Sequence, residues 1–155
     1  MSVWTHVAAT FRLDNFRDIM GLPEANDSIW SEIFGRECPW EADHETRKEQ
    51  CVSPDKFLPC GSEGSLQISV WTNGDKSSLF RYVVSMFGDL RDFESYDDIE
   101  QWFNESCKRV DKFGFSVRQA VCAVKVEFAN PAQKVFLYDA AKGKANEQPD
   151  SVAKG

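Results

Sequence analysis

No stretch of this chain offers the roughly 20 consecutive apolar residues that a helix needs to cross a bilayer. The opening "MSVWTHVAATFRLDNF" also lacks the basic start and apolar core of a secretory leader, so the expectation is a soluble, cytoplasmic protein without membrane association. Imidazole is scarce, with His6 and His44 the only two histidines. Positive charge is short as well. Lys and Arg total 18 against 25 Asp and Glu, and a net charge of -7 argues against a protein that grips nucleic acid by releasing counterions. Cys38, Cys51, Cys60, Cys107 and Cys122 include no C-x-x-C pair and, being five, cannot all pair within the chain; reduced thiols in a cytoplasm account for them most simply.

What the chain has in quantity is aromatic side chains, 12 Phe and 5 Trp among 155 residues, within a hydrophobic fraction of 42%. Such a chain suits one domain with one core, burying about two thirds of the unfolded surface. Period-two alternation from Val3 to Leu13 predicts a half-buried strand. Asp27 or Ser28 can cap a short helix carrying Ile29, Trp30, Ile33 and Phe34 on one side, and Gly35 can stop it. Residues 36–60 are polar and aperiodic, a long surface excursion. A second strand is read at Ser65 to Thr72, a turn at Asn73-Gly74, and a third strand at Leu79 to Phe87 that ends at Gly88. Ser95 or Asp97 caps a second helix bearing Ile99, Trp102, Phe103 and Val110. Ser116 to Phe128 reads as a long fourth strand, Asn130-Pro131 as a turn, and Val135 to Tyr138 as a short returning strand. The segment 141–155 reads as a disordered tail, leaving a single domain over 1–140.

The order strand, helix, strand, strand, helix, strand places the chain in the α+β class. It predicts a ferredoxin-like split βαβ sandwich, an antiparallel sheet with two helices on one face and an added C-terminal hairpin strand. If the odd residues of the first strand lie beneath the helices, the other face gathers Trp4, His6, Thr10, Arg12, Gln67, Ser69 and Trp71, joined by Arg81, Ser85 and Gln119. Trp and Arg are favoured anchors at interfaces, so this face is a candidate binding surface, weighed against coverage by the 36–60 excursion or the terminal hairpin.

Several motifs invite chemistry. Gly61-Ser62-Glu63-Gly64-Ser65 has the glycine content of a phosphate cradle, but it runs into a strand rather than a helix N-terminus, lacks an adjacent Lys, and carries Glu63; a bend before a strand explains it better. Cys60 could act as a nucleophile with His6 or His44 as base, yet neither histidine has the context of a thiol enzyme. Cys38, His44, Cys51 and Cys60 are four soft ligands for Zn²⁺, at spacings without the close knuckle of established zinc sites. Asp89, Asp92, Glu94, Asp97 and Asp98 form an acidic ridge that suits the start of a helix and could also meet a basic partner surface. "KFGFSV" at 112–117 compares with the aromatic signature of RNA-recognition motifs but falls after the second helix instead of before it, so no direct contact with nucleic acid is expected.

The stretches "VWTHVAATFRLDNFR", "FLPCGSEGSLQISVW" and "SVRQAVCAVKVEF" together resemble a group of small proteins encoded by bacteriophages and prophages, in patches covering about half of the chain. What the resemblance implies is a protein of the bacterial host cytoplasm that binds and disables a host protein or ribonucleoprotein, as anti-CRISPR and other anti-defence inhibitors do. The leading expectation is therefore a non-enzymatic inhibitor acting through the sheet face or the acidic ridge, with no cofactor. A small-ligand sponge for a nucleotide is the alternative, with Arg12, Arg81 and Arg118 meeting the anion and Trp71 stacking on the base; ferredoxin-like sheets also pair into homodimers, which would form pockets at the seam. An enzyme built on Cys60 and a histidine comes third.

Overall fold

The computed structural model describes residues 2–37 and 57–139, together with the backbone of a short strand at 144–147. Strand β1 spans Trp4–Asn15, helix α1 Asp27–Phe34, β2 Gln67–Thr72, β3 Tyr82–Arg91, helix α2 Tyr96–Arg109, β4 Phe115–Val126, β5 Gln133–Asp139 and β6 Lys144–Glu147. A 3₁₀ turn at Val110–Phe113 ends α2 and leads into β4. The six strands form one antiparallel sheet in the order β2-β3-β1-β4-β5-β6. The architecture is α+β.

β1 lies inside the sheet, between β3 and β4, and its alternation is clean. Thr5, Val7, Ala9, Phe11, Leu13 and Asn15 are buried, while the residues between them are half-buried or exposed. Phe11 is the centre of the core. Its ring lies 4.8 Å from that of Phe34 on α1 and 6.1 and 5.3 Å from those of Trp102 and Phe103 on α2, so both helices cover the odd face of β1. Burying a large apolar side chain of this kind contributes about 1.5–3 kcal/mol. Trp102 also satisfies its one polar atom, its Nε1 donating to the Phe34 carbonyl at 2.8 Å and tying the two helices together. Asn26 caps α1, its side chain accepting from the Ile29 N–H, and Ser95 caps α2 in the same way from Asp98.

Besides the α1 cap, which is Asn26 rather than Asp27 or Ser28, three local features depart from the sequence reading. β3 does not stop at Gly88 but runs through it to Arg91. A Cβ at Gly88 would stand 2.5 Å from the Ser65 carbonyl oxygen, so the glycine marks a close backbone approach inside a strand rather than its end. The β2–β3 connection is a long loop over 73–81, closed by the Asn73 N–H on the Arg81 carbonyl, not a tight turn at Asn73-Gly74. The reason is local: the Asn73 side chain accepts from the Asp75 N–H and the Asp75 side chain from the Ser77 N–H, two successive side-chain turns that lengthen the loop. Finally, Lys144–Glu147 pairs with β5 as a sixth strand, within the segment whose composition predicts a structureless tail.

Candidate functional site

The face of the sheet turned away from the helices carries the even residues of β1, and the strand registers set its rows. Trp71 of β2 stands beside Val83 of β3, Arg12 of β1 and Gln119 of β4. The next rows are Ser69, Ser85, Thr10, Val121 and Leu137, then Gln67, Phe87, Ala8, Ala123 and Val135. His6 follows, between Asp89 and Lys125. The predicted set Trp4, His6, Thr10, Arg12, Gln67, Ser69, Trp71, Ser85 and Gln119 is thus brought onto one surface.

Its character is more apolar than the sequence reading implied. An antiparallel sheet with one solvated face ordinarily shows polar residues there. Here Val83, Phe87, Ala8, Val121, Ala123, Val135 and Leu137 run through the middle of that face, with Phe87 and Trp71 each 58% exposed and Leu137 40% exposed. Phe87 shares this face with Ser85, two residues before it on β3.

Arg81 does not join this face. The chain turns through Ser78 to Phe80 before β3 begins at Tyr82, so alternation does not reach back to residue 81, and its side chain is buried against Glu24. Arg118 is held by Asp14, Nε to Oδ1 at 2.9 Å, with its guanidinium over the Phe80 ring. The three arginines of the nucleotide alternative therefore do not converge beside Trp71. A cavity of about 490 Å³ lies between α1 and the β2 edge, next to Trp30, Ile68 and Val70, but its charged lining, Asp27 and Glu37, would repel a phosphate.

At one end of the face His6 is clasped by two carboxylates. Its Nδ1 lies 2.6 Å from Asp89 Oδ1 and its Nε2 lies 2.8 Å from Glu127 Oε1. Both ring nitrogens donate only in the imidazolium, so these hydrogen bonds, Asp89 first and Glu127 second, raise the His6 pKa above its ordinary value. The clasp links β1 to β3 and to the residue following β4. Among the described residues, both ring nitrogens are engaged by carboxylates.

The acidic ridge divides by role. Asp89 serves His6, Asp92 accepts from the Ser62 hydroxyl at 2.7 Å, and Asp97 and Asp98 occupy the first turn of α2, where its dipole favours negative charge. Glu94 is exposed between them. The loop Gly61 to Ser65 packs backbone to backbone on the end of β3: Ser62 N–H donates to the Arg91 carbonyl and Arg91 N–H to the Glu63 carbonyl. It is a bend held against a strand, with the Gly61 and Ser62 amides donating to the Gly64 and Arg91 carbonyls.

Cys60 is disulfide-bonded. This corrects the expectation of uniformly reduced thiols and removes the cysteine argument for a cytoplasm, since disulfides persist mainly in oxidising compartments. In that state Cys60 offers neither a nucleophile nor a thiolate to a metal. Cys38, His44 and Cys51 lie outside the described residues, and among the described residues no group of three or more His, Cys, Asp or Glu is placed to hold a metal ion. Cys107 and Cys122 are free thiols buried in the core; loss of solvent pushes both up in pKa, Cys122 to about 12, which keeps them unreactive. No helix among the described residues is long and apolar enough to cross a membrane.

No family model, curated protein or solved structure matches the chain.

Proposed function

We propose that this is a non-enzymatic binding protein that seats the open sheet face on another protein and blocks it by occupying its surface. The observation that carries the reading is the apolar centre of that face, with Trp71 and Phe87 each 58% exposed beside Arg12 and the His6 clasp. Aromatic anchors ringed by polar groups are the composition of interface hot spots. β2, which presents Trp71, is an edge strand without a charged residue, so it lacks the usual protection against pairing with a partner chain. The finer fold we infer is the ferredoxin-like split βαβ sandwich, supported by the order β2-β3-β1-β4 and by helices that each join two strands flanking a third. The resemblance to phage-encoded proteins directs the reading toward a host macromolecule as the target, in the manner of an anti-defence inhibitor.

The test is capture of a stoichiometric partner by the tagged protein expressed in a bacterial host, repeated with Trp71→Ala and Phe87→Ser. Both positions are exposed, so the variants should keep the wild-type melting temperature while losing the partner; truncating a central aromatic anchor costs about 2 kcal/mol or more of binding, a loss of about 30-fold. Equal capture by wild type and both variants would remove the sheet face. Loss confined to Asp97→Asn/Asp98→Asn, with salt sensitivity, would move the interface to the acidic ridge. Capture of the chain's own copy alone would replace the inhibitor reading with a sheet-to-sheet homodimer.

A further inference from the structure

Arg81 reaches into the domain where the β1–α1 connection crosses the start of β3, and its side chain is only 7% exposed. Nη2 donates to Glu24 Oε1, but Nε is buried without a hydrogen-bond partner. Leaving a guanidinium N–H desolvated and unmatched is unfavourable, and such groups in a native protein call for a reason. Arg81 lines a cavity of about 80 Å³ together with Asn15, Arg17, Glu24, Lys76 and Tyr82. Arg17 is fixed there by its own bonds, Nε to the Pro23 carbonyl at 2.9 Å and Nη1 to the Phe113 carbonyl at 2.6 Å. Lys76 Nζ approaches Glu24 Oε2 at 3.9 Å from a side chain that is 78% exposed.

We propose that this cavity binds a small tetrahedral oxyanion, inorganic phosphate or the terminal phosphate of a monoester, received by Arg81 Nε and Lys76 Nζ and displacing the Glu24 carboxylate. Three arguments meet here. Arg17, Lys76 and Arg81 outnumber Asp18 and Glu24 around the cavity, so its lining favours an anion. Arginine presents its donors in a planar fork suited to phosphate oxygens. The volume accommodates several water-sized groups, each needing about 10–15 Å³, and is far below the ~300–1,000 Å³ of pockets for larger ligands. Glu24, 46% exposed, holds the place that the anion would take.

The experiment is isothermal titration of the whole chain with inorganic phosphate at ionic strength held constant with chloride, for wild type, Glu24→Gln and Lys76→Ala, with the Arg81 Nε–H resonance followed by NMR. Wild type should show saturable one-site binding that shifts the Arg81 Nε–H signal. Glu24→Gln, freed of the competing carboxylate, should bind about tenfold tighter, and Lys76→Ala about two- to fivefold weaker. A parallel titration with phenyl phosphate separates the sources: binding of both anions assigns the site to a terminal phosphate group, and binding of inorganic phosphate alone to the free anion. Absence of saturable binding in both wild type and Glu24→Gln, or one affinity shared by all three proteins, or an unmoved Arg81 signal, would overturn the proposal and leave Nε to a water.

Discussion

Replacing Gly64 with alanine separates a structural bend from a ligand cradle. Gly64 has φ +77°, and a Cβ there would stand 1.9 Å from the Asp89 carbonyl oxygen, a backbone atom that no side-chain rotation can clear. The left-handed backbone costs a non-glycine residue about 1–2 kcal/mol, and forcing the loop off β3 adds about 1–3 kcal/mol of overpacking. The sum is about 2–5 kcal/mol, and at about 2–4 °C per kcal/mol for a chain of this size the melting temperature should fall by roughly 10 °C. Urea denaturation gives the free energy and calorimetry the shift. Gly74→Ala is the control: its Cβ meets nothing within 4 Å, and the change should stay within about 0.5 kcal/mol of wild type. A Gly64→Ala protein less than about 1 kcal/mol below wild type would show that the 61–65 loop leaves β3 in solution, and with it would go the account of that loop as a bend held against the strand.

Other expectations follow from the same geometry. Because the two carboxylates raise the His6 pKa in the folded protein, their contribution to stability is fully present below the ordinary value of 6.5 and is lost as pH rises through the higher folded value. His6→Gln should therefore fall furthest below wild type in melting temperature near pH 5.5 and converge with it in alkaline buffer; a gap that widens with pH would refute the clasp. NMR titration of the His6 ring should give a midpoint above 6.5 that drops in Asp89→Asn. Cys107 and Cys122 should resist iodoacetamide in the native protein at pH 8 and react in denaturant, read by mass spectrometry of the alkylated peptides. Trp102→Ala should cost about 3–5 kcal/mol in urea denaturation by opening the core beside Phe11, whereas Trp102→Phe, which leaves the Phe34 carbonyl unpaired, should cost about 1–3 kcal/mol.

The sequence showed most plainly what depends on near neighbours. The period of β1, the Ser95 cap and the apolar face of α2 are local patterns, and the structure has them within a residue or two. At Gly88 the pattern is ambiguous, because a glycine in a strand signals either an end or a close approach, and the Ser65 backbone that decides between them is remote in sequence. Arg81 leaves the alternating face because the turns at Asn73 and Asp75 draw out the loop and shift where alternation begins. The clasp on His6 was beyond reach: its partners lie 83 and 121 residues along the chain, and nothing in their spacing announces them. The open face was therefore legible as a list of β1 and β2 residues, while its apolar middle, assembled from β3, β4 and β5, required the registers.

The central position of β1 has a consequence for how the molecule is made. Both strands that flank it come late: β3 begins at Tyr82 and β4 ends at Val126. At synthesis rates of about 5–20 residues per second, Trp4–Asn15 waits on the order of 5–20 seconds after leaving the ribosome before its second edge is covered. During that interval a strand carrying Val7, Phe11 and Leu13 is open to wrong partners, and the most hydrogen-bonded element of the finished sheet is the one most dependent on protection while the chain is incomplete.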